Sequence, residues 1–203
     1  MTGQVAEVFL RRLSRWQAEQ QREAVAGLYV EAYGAGGQGS AGSVGGSGRR
    51  GFLERFEHQV QQPEFDMVAA DAAGLVGCLY GHRVEPDGAW WRAFSGLVPS
   101  RVMWQQPVPE RVFVLRELMV APTHRRQGIA SRLRALLLVR HAGDLVVAEL
   151  ESGSGSGDEL GRAVLRAWGW VPLGVFADGG DGDEGGGGGG EGLREGWMRP
   201  PGD

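Results

Sequence analysis

Residues 120–130 read VAPTHRRQGIA and combine the residue types that best grip an anion. Arg125 and Arg126 bring positive charge, and Gly128, lacking a Cβ, lets a ligand come close to the backbone. A strongly apolar run, residues 112–120, precedes this turn, and a helix-patterned run from Ile129 to His141 follows it. The first N–H groups of a helix have no partner within it and carry partial positive charge. A basic turn that aims them outward is a seat for a phosphate or pyrophosphate. Glu117 is the second chemical candidate, a carboxylate inside the apolar strand three positions before Val120. Charged side chains seldom sit in such surroundings without a partner or a task. Glu117 therefore reads either as a functional carboxylate or as half of an ion pair with Arg116 or Arg111.

Composition narrows the chemistry. The chain has 203 residues and a net charge of −4, which suits one domain with a real core and gives no global attraction to nucleic acid or anionic membrane. No apolar run approaches the roughly 20 residues of a membrane span. The first residues lack a basic segment followed by an apolar one, so a secretion leader is not expected and a cytoplasmic location is. Cys78 is the single cysteine, which excludes an intrachain disulfide and cysteine-rich metal sites, and no metal is expected. Lysine and asparagine are both absent, and with abundant glycine, alanine and arginine this points to coding bias in a GC-rich bacterial genome. Without lysine, a triphosphate-binding loop of the G-x-x-x-x-G-K-[ST] type and a Schiff base are both impossible.

The elements that must position these groups follow from periodicity. Residues 5–33 read as helix, with Val5, Val8, Phe9, Leu13, Trp16, Val25, Leu28 and Tyr29 near a 3.6 period. Glycine-rich residues 34–48 read as a flexible loop. A short amphipathic helix spans 50–61, and strand-like runs at 65–70 and 75–80 flank a turn at 71–74, reading as a hairpin. Strands are expected at 111–120, 144–150 and from 170 to 176, helices at 129–141 and 158–168, and a last strand at 194–199 pairing with 170–176. Gly143 and Gly169 read as helix stops. Residues 178–192, with ten glycines among acidic residues, read as disordered. The pattern is α/β, largely antiparallel in its N-terminal half.

On these residues the chain resembles the GCN5-related N-acetyltransferase (GNAT) superfamily. Residues 115–120 (LRELMV), Pro122 and residues 125–130 (RRQGIA) match its R/Q-x-x-G-x-G/A signature, and the expected helix follows. Downstream, residues 163–170 (AVLRAWGW) resemble its A-x-x-Y-x-x-x-G-F element. The clear match covers residues 111–176. The resemblance implies one GNAT domain over residues 1–203, with a mixed, mostly antiparallel central sheet flanked by helices. It implies acetyl-CoA as cosubstrate, with Arg125, Arg126, Gln127, Gly128, Ile129 and Ala130 around its pyrophosphate. The backbone of Leu118, Met119 and Val120 would lie along the pantetheine arm, one amide polarising the thioester carbonyl as an oxyanion donor. The reaction implied is direct acetyl transfer to a primary amine of a small molecule or protein. An alkylammonium of pKa about 10 must first lose a proton, which is the task of a base such as Glu117. Many relatives dimerise, so a homodimer is an open expectation.

The chain departs from the pattern at one place. Leu165 stands where the family's tyrosine protonates the leaving thiolate, and leucine has no proton to give. That keeps a second function in play, a catalytically weak acyl-CoA-binding regulatory module. For the acceptor side, Glu31, Trp90 and Trp91 are candidates, although core packing explains the tryptophans equally well. His82 and Glu85 read as cleft lining or hairpin-end polarity, His124 as a surface turn residue, and Trp168 and Trp170 as packing at a helix end. Dinucleotide binding is disfavoured because no G-x-G-x-x-G follows a strand, and a serine hydrolase because no G-x-S-x-G occurs.

Overall fold

Phe9–Leu13 forms a strand, β1, near the start of the stretch 5–33 whose apolar spacing predicts helix. The computed structural model describes residues 7–34, 48–85, 90, 111–151, 156–176 and 194–200. The glycine-rich readings at 35–47 and 178–192, and Trp91, lie outside the described residues. β1 carries two arginines that do not fit a simple in–out alternation, which is why the period misleads. Tertiary partners settle the conformation: Arg11 pairs with Asp71 at 2.7 Å and Arg12 pairs with Asp66, both on the neighbouring strand. Ser14 ends the strand as the N-cap of α1 (Arg15–Gln20), in a capping box with Gln17. That S-x-x-Q signature was readable and would have divided the first helix correctly. α2 (Arg22–Gly34) and α3 (Gly48–Val60) follow.

Seven strands form a mixed sheet in the order β1-β2-β3-β4-β5-β7-β6. They are β2 (Asp66–Asp71), β3 (Leu75–Val84), β4 (Val112–Val120), β5 (Leu145–Glu151), β6 (Val171–Phe176) and β7 (Arg194–Met198), besides β1. The hairpin, the strands β4 to β6 and the last strand's pairing with β6 are those expected from the sequence; β1 is not. The remaining helices are α4 (Ile129–Leu138), continued by a 3-10 turn Val139–His141, and α5 (Ser156–Ala167).

The residues fall into two compact units. The first holds residues up to His82 and from Arg116 to Ala142; the second holds Arg83–Leu115 and everything from Gly143. In the first, β1, β2 and β3 pair antiparallel. Ile129, Leu133 and Leu137 of α4, spaced by four, are all buried, so the helix presents one apolar stripe to β1 and β2. Phe52, Phe56 and Val60 form the buried stripe of α3, which packs against α2, and each buried phenylalanine contributes about 1.5–3 kcal/mol. Phe56 stands edge-on to Tyr80 of β3 at 5.2 Å.

In the second unit, β4 pairs parallel with β5 from Val112↔Leu145 to Leu115↔Ala148, and β7 lies antiparallel between β5 and β6. Its core gathers Trp90, Val112, Val114, Leu145, Val147, Leu173 and Met198. α5 ends as the glycine predicted: Gly169 adopts φ 75°, its N–H reaches the Arg166 carbonyl, and the Trp170 N–H reaches that of Leu165. These are the paired bonds of a Schellman motif.

Candidate active site

The anion-seat residues lie where the apolar strand hands over to the helix. After β4, Pro122–His124 makes a single 3-10 turn, and the chain then passes through two left-handed residues. Arg126 has φ 64° and Gly128, the N-cap of α4, has φ 75°. A left-handed non-glycine residue costs roughly 1–2 kcal/mol, and such strain collects at functional turns. Gly128 gives α4 no side-chain cap, and a Cβ built on it would meet none of the described residues within 4 Å. The glycine is required here by backbone conformation, and the space over it is open. The first α4 bond runs from the Arg132 N–H to the Gly128 carbonyl, so the amides of Ile129 and Ala130 precede the helix's own ladder.

The two arginines divide their work. Arg126 is exposed. Arg125 ties the turn down: its Nη2 donates to the Ala32 carbonyl at 2.6 Å and its Nε to the Val120 carbonyl at 3.3 Å. The Gln127 side chain bonds the Thr123 carbonyl, leaving its main chain as the group of interest. His124 stays beside Thr123, 3.0 Å from its hydroxyl, as a turn residue.

Gly77 fixes how closely the helix approaches. A Cβ there would stand 3.2 Å from Cγ2 of Ile129, 3.3 Å from the Met119 carbonyl oxygen and 3.4 Å from Cδ1 of Leu133. β3 thus meets both β4 and the start of α4 through a position where an added Cβ would be tightly packed and its neighbours would have to give way. The Ala121 N–H also bonds the Val76 carbonyl at 2.9 Å, anchoring the end of β4.

Glu117 is half-buried on β4 and accepts a hydrogen bond from the Tyr33 hydroxyl, O to Oε1 2.5 Å. Sequence reasoning missed Tyr33. It is 84 residues away, on the last turn of α2, and no local pattern announces the pairing. Desolvation, then the Glu117 charge and hydrogen bond, push the Tyr33 phenol well above its usual range. The residue as a whole is 41% exposed, so the charge of Glu117 is the more durable of these causes. The same carboxylate is felt by Cys78 and Tyr80 of β3, whose pKa values are pushed up first by burial and then by the Glu117 charge. The ion-pair alternatives resolve in part: Arg116 donates to His82 Nε2 at 2.9 Å, and Arg111 pairs with Asp144 at 3.1 Å. His82 is buried beside Arg116.

The remaining candidates separate. Glu31 is exposed on α2. Trp90 is only 8% exposed in the second unit's core and donates through its indole N–H to Glu149, which also accepts from Arg194 at 2.8 Å. Its ring is packing, as are Trp168 and Trp170 with centroids 6.0 Å apart. Leu165 is 4% exposed, and its carbonyl closes the Schellman motif. Among the described residues no group of three or more His, Cys, Asp or Glu could hold a metal ion, and no helix is long and apolar enough to cross a membrane.

Neither a protein-family model nor a curated protein sequence matches the chain. Solved structures do. The ribosomal-protein-S18-alanine N-acetyltransferase from Escherichia coli superposes with a TM-score of 0.56 at 10% identity, covering 96% of this chain and 94% of that one. Arabidopsis thaliana NAA60 in complex with acetyl-CoA gives 0.56 at 10% identity over 95% and 98%. An aminoglycoside 6'-acetyltransferase type Ii gives 0.55 at 15% identity over 95% and 96%. Likeness over nearly the whole of each chain establishes the fold: this protein has the GNAT fold.

Proposed function

We propose that the chain is a single acetyltransferase domain that moves an acetyl group from acetyl-CoA directly to a primary amine. The observation that carries this reading is the turn at the head of α4, with left-handed Arg126 and Gly128, open space over the glycine and uncapped amides at Ile129 and Ala130. A diphosphate fits such a turn, because backbone donors converge and no Cβ intrudes. Gln127, Gly128, Ile129 and Ala130 would hold it through main-chain N–H groups, with Arg126 as the adjacent free-standing charge. Each charge-assisted bond is worth about 1.5–3 kcal/mol. Leu118, Met119 and Val120 would line the pantetheine arm. Acetyl-CoA, when bound, supplies an activated acetyl thioester.

The chain's own part in the chemistry is to deprotonate and orient the acceptor. Glu117 would take the proton that an alkylammonium must shed before it attacks. Neighbours of this fold include proteins named for a protein alanine and for aminoglycosides, and both acceptor classes are primary amines in chemical terms. Thiol release from acetyl-CoA, measured against a panel of peptide N-termini, polyamines and amino sugars, tests the reading. Release with none of them would reject it.

One observation favours a second reading, an acyl-CoA-binding module with little turnover. Leu165, at the position of the family's proton donor, is buried and occupied in ending α5. Tight acetyl-CoA binding without thiol release across the panel would select it.

A further inference from the structure

We propose that Tyr33 is the positioning residue of the proposed base, its hydroxyl holding the Glu117 carboxylate in one orientation and in its ionised form. The inference rests on the acetyltransferase reading for its purpose, while the pairing itself is geometric. Tyr33 donates to Glu117 Oε1 at 2.5 Å, from the last turn of a helix to the middle of a strand 84 residues on. Two further contacts keep its ring in place. Tyr33 packs on Tyr29 with centroids 4.9 Å apart, and Tyr29 stacks on Phe52 of α3 at 4.4 Å. The adjoining Ala32 carbonyl is held by Arg125, so the end of α2 that carries the phenol is tied to the anion turn. A phenol that stays protonated is suited to the task, because a donor that ionised beside a carboxylate would repel it.

Titratable and charged groups near this pair lie on β3, α3 and β4. Cys78 and Tyr80 lie on β3, Arg55 of α3 acts on Tyr80 and sits 5.9 Å from the Tyr29 ring centre, and Arg116 is on β4 itself. Cys78 and Tyr80 are both pushed upward, so neither competes with Glu117 for ionisation near neutrality. Removing the Tyr33 hydroxyl takes one donor from the charged form of Glu117. The carboxyl then holds its proton more tightly, and a larger share is protonated at a given acidic pH.

The test compares full-length wild type with Tyr33→Phe, which keeps the ring and its stacking. Expected are a fall in kcat/KM of about tenfold and an acid limb displaced upward by about one pH unit, the size of one hydrogen bond to a charged group. A merely structural role would lower the rate and leave the limb where it was, and that result overturns the proposal. The second measurement is independent of turnover: the side-chain carboxyl carbon of Glu117, assigned by its loss in Glu117→Gln, is titrated by NMR in both proteins. An upward shift in Tyr33→Phe supports the pairing even if no amine is acetylated, an outcome that would reject the acetyltransferase reading alone. Coincident titration curves overturn the pairing whatever the enzyme does.

Discussion

A Cβ on Gly77 would come within 3.2 Å of Cγ2 of Ile129, closer than neighbouring side chains ordinarily allow. The anion turn sits one residue before Ile129, so the height of the whole turn over β3 depends on this missing atom. Gly77→Val should push α4 outward, costing about 1–3 kcal/mol by overpacking. The measurements are a melting temperature and an acetyl-CoA titration, both of which should worsen together. Unchanged affinity in a destabilised variant would show that the turn does not ride on this contact.

Gly128→Val separates strain from steric exclusion differently. None of the described residues lies within 4 Å of the added Cβ, so the fold pays only for the left-handed backbone, about 1–2 kcal/mol. Acetyl-CoA affinity should fall much further than stability, because the new side chain would stand over the amides proposed to hold the diphosphate. Calorimetric binding beside thermal unfolding reads both, and a stability loss with unchanged binding would remove the phosphate assignment.

Glu117→Gln should leave acetyl-CoA affinity within a few fold. It should lower turnover by about 100-fold, in the range of a lost general base, and erase the acid limb of the pH profile. If rate and profile survive, Glu117 is a structural partner of Tyr33.

Asp66 predicts where acid weakens the fold. Burial by itself would raise its pKa, but hydrogen bonds from His141, at 3.2 Å, and from Arg12 outweigh this and leave it lowered. A carboxylate held below its unfolded value of about 3.9 contributes stability that is fully present above that pH, and is lost as pH falls through the lowered folded value. Melting temperature should therefore drop on acidification below about pH 4, and Asp66→Asn should flatten that dependence while costing about 3–5 kcal/mol at neutral pH by stranding Arg12.

Leu165→Tyr tests whether the family's proton donor can simply be restored. The side chain is 4% exposed, so the larger ring should cost about 1–3 kcal/mol by overpacking. Turnover should not rise. A faster variant at equal or lower melting temperature would show that a hydroxyl at this position reaches the reacting atoms after all.

Most of the elements were legible because their signals are local. The hairpin announced itself by two short apolar runs around a glycine turn, α4 by its four-residue apolar spacing, and α5's end by Gly169. The turn at 125–130 was legible for the same reason: a strand, a glycine and a helix start are consecutive in the chain. β1 was not, because the conformation of Phe9–Leu13 is decided by carboxylates on another strand that neutralise Arg11 and Arg12.

The sequence by itself determined most of the elements after β1, the strand–glycine–helix turn at 125–130 and the absence of a hydroxyl at residue 165. Each depends on residues a few positions apart, where spacing and backbone preference are enough. Only the tertiary structure decided that Tyr33 holds Glu117, that Arg125 is spent on the Ala32 and Val120 carbonyls, and that Gly77 sets the approach of α4. Those contacts join residues up to 93 positions apart. Hydrogen bonds and van der Waals limits act over a few ångströms of space, and which distant residues come that close is a property of the folded chain.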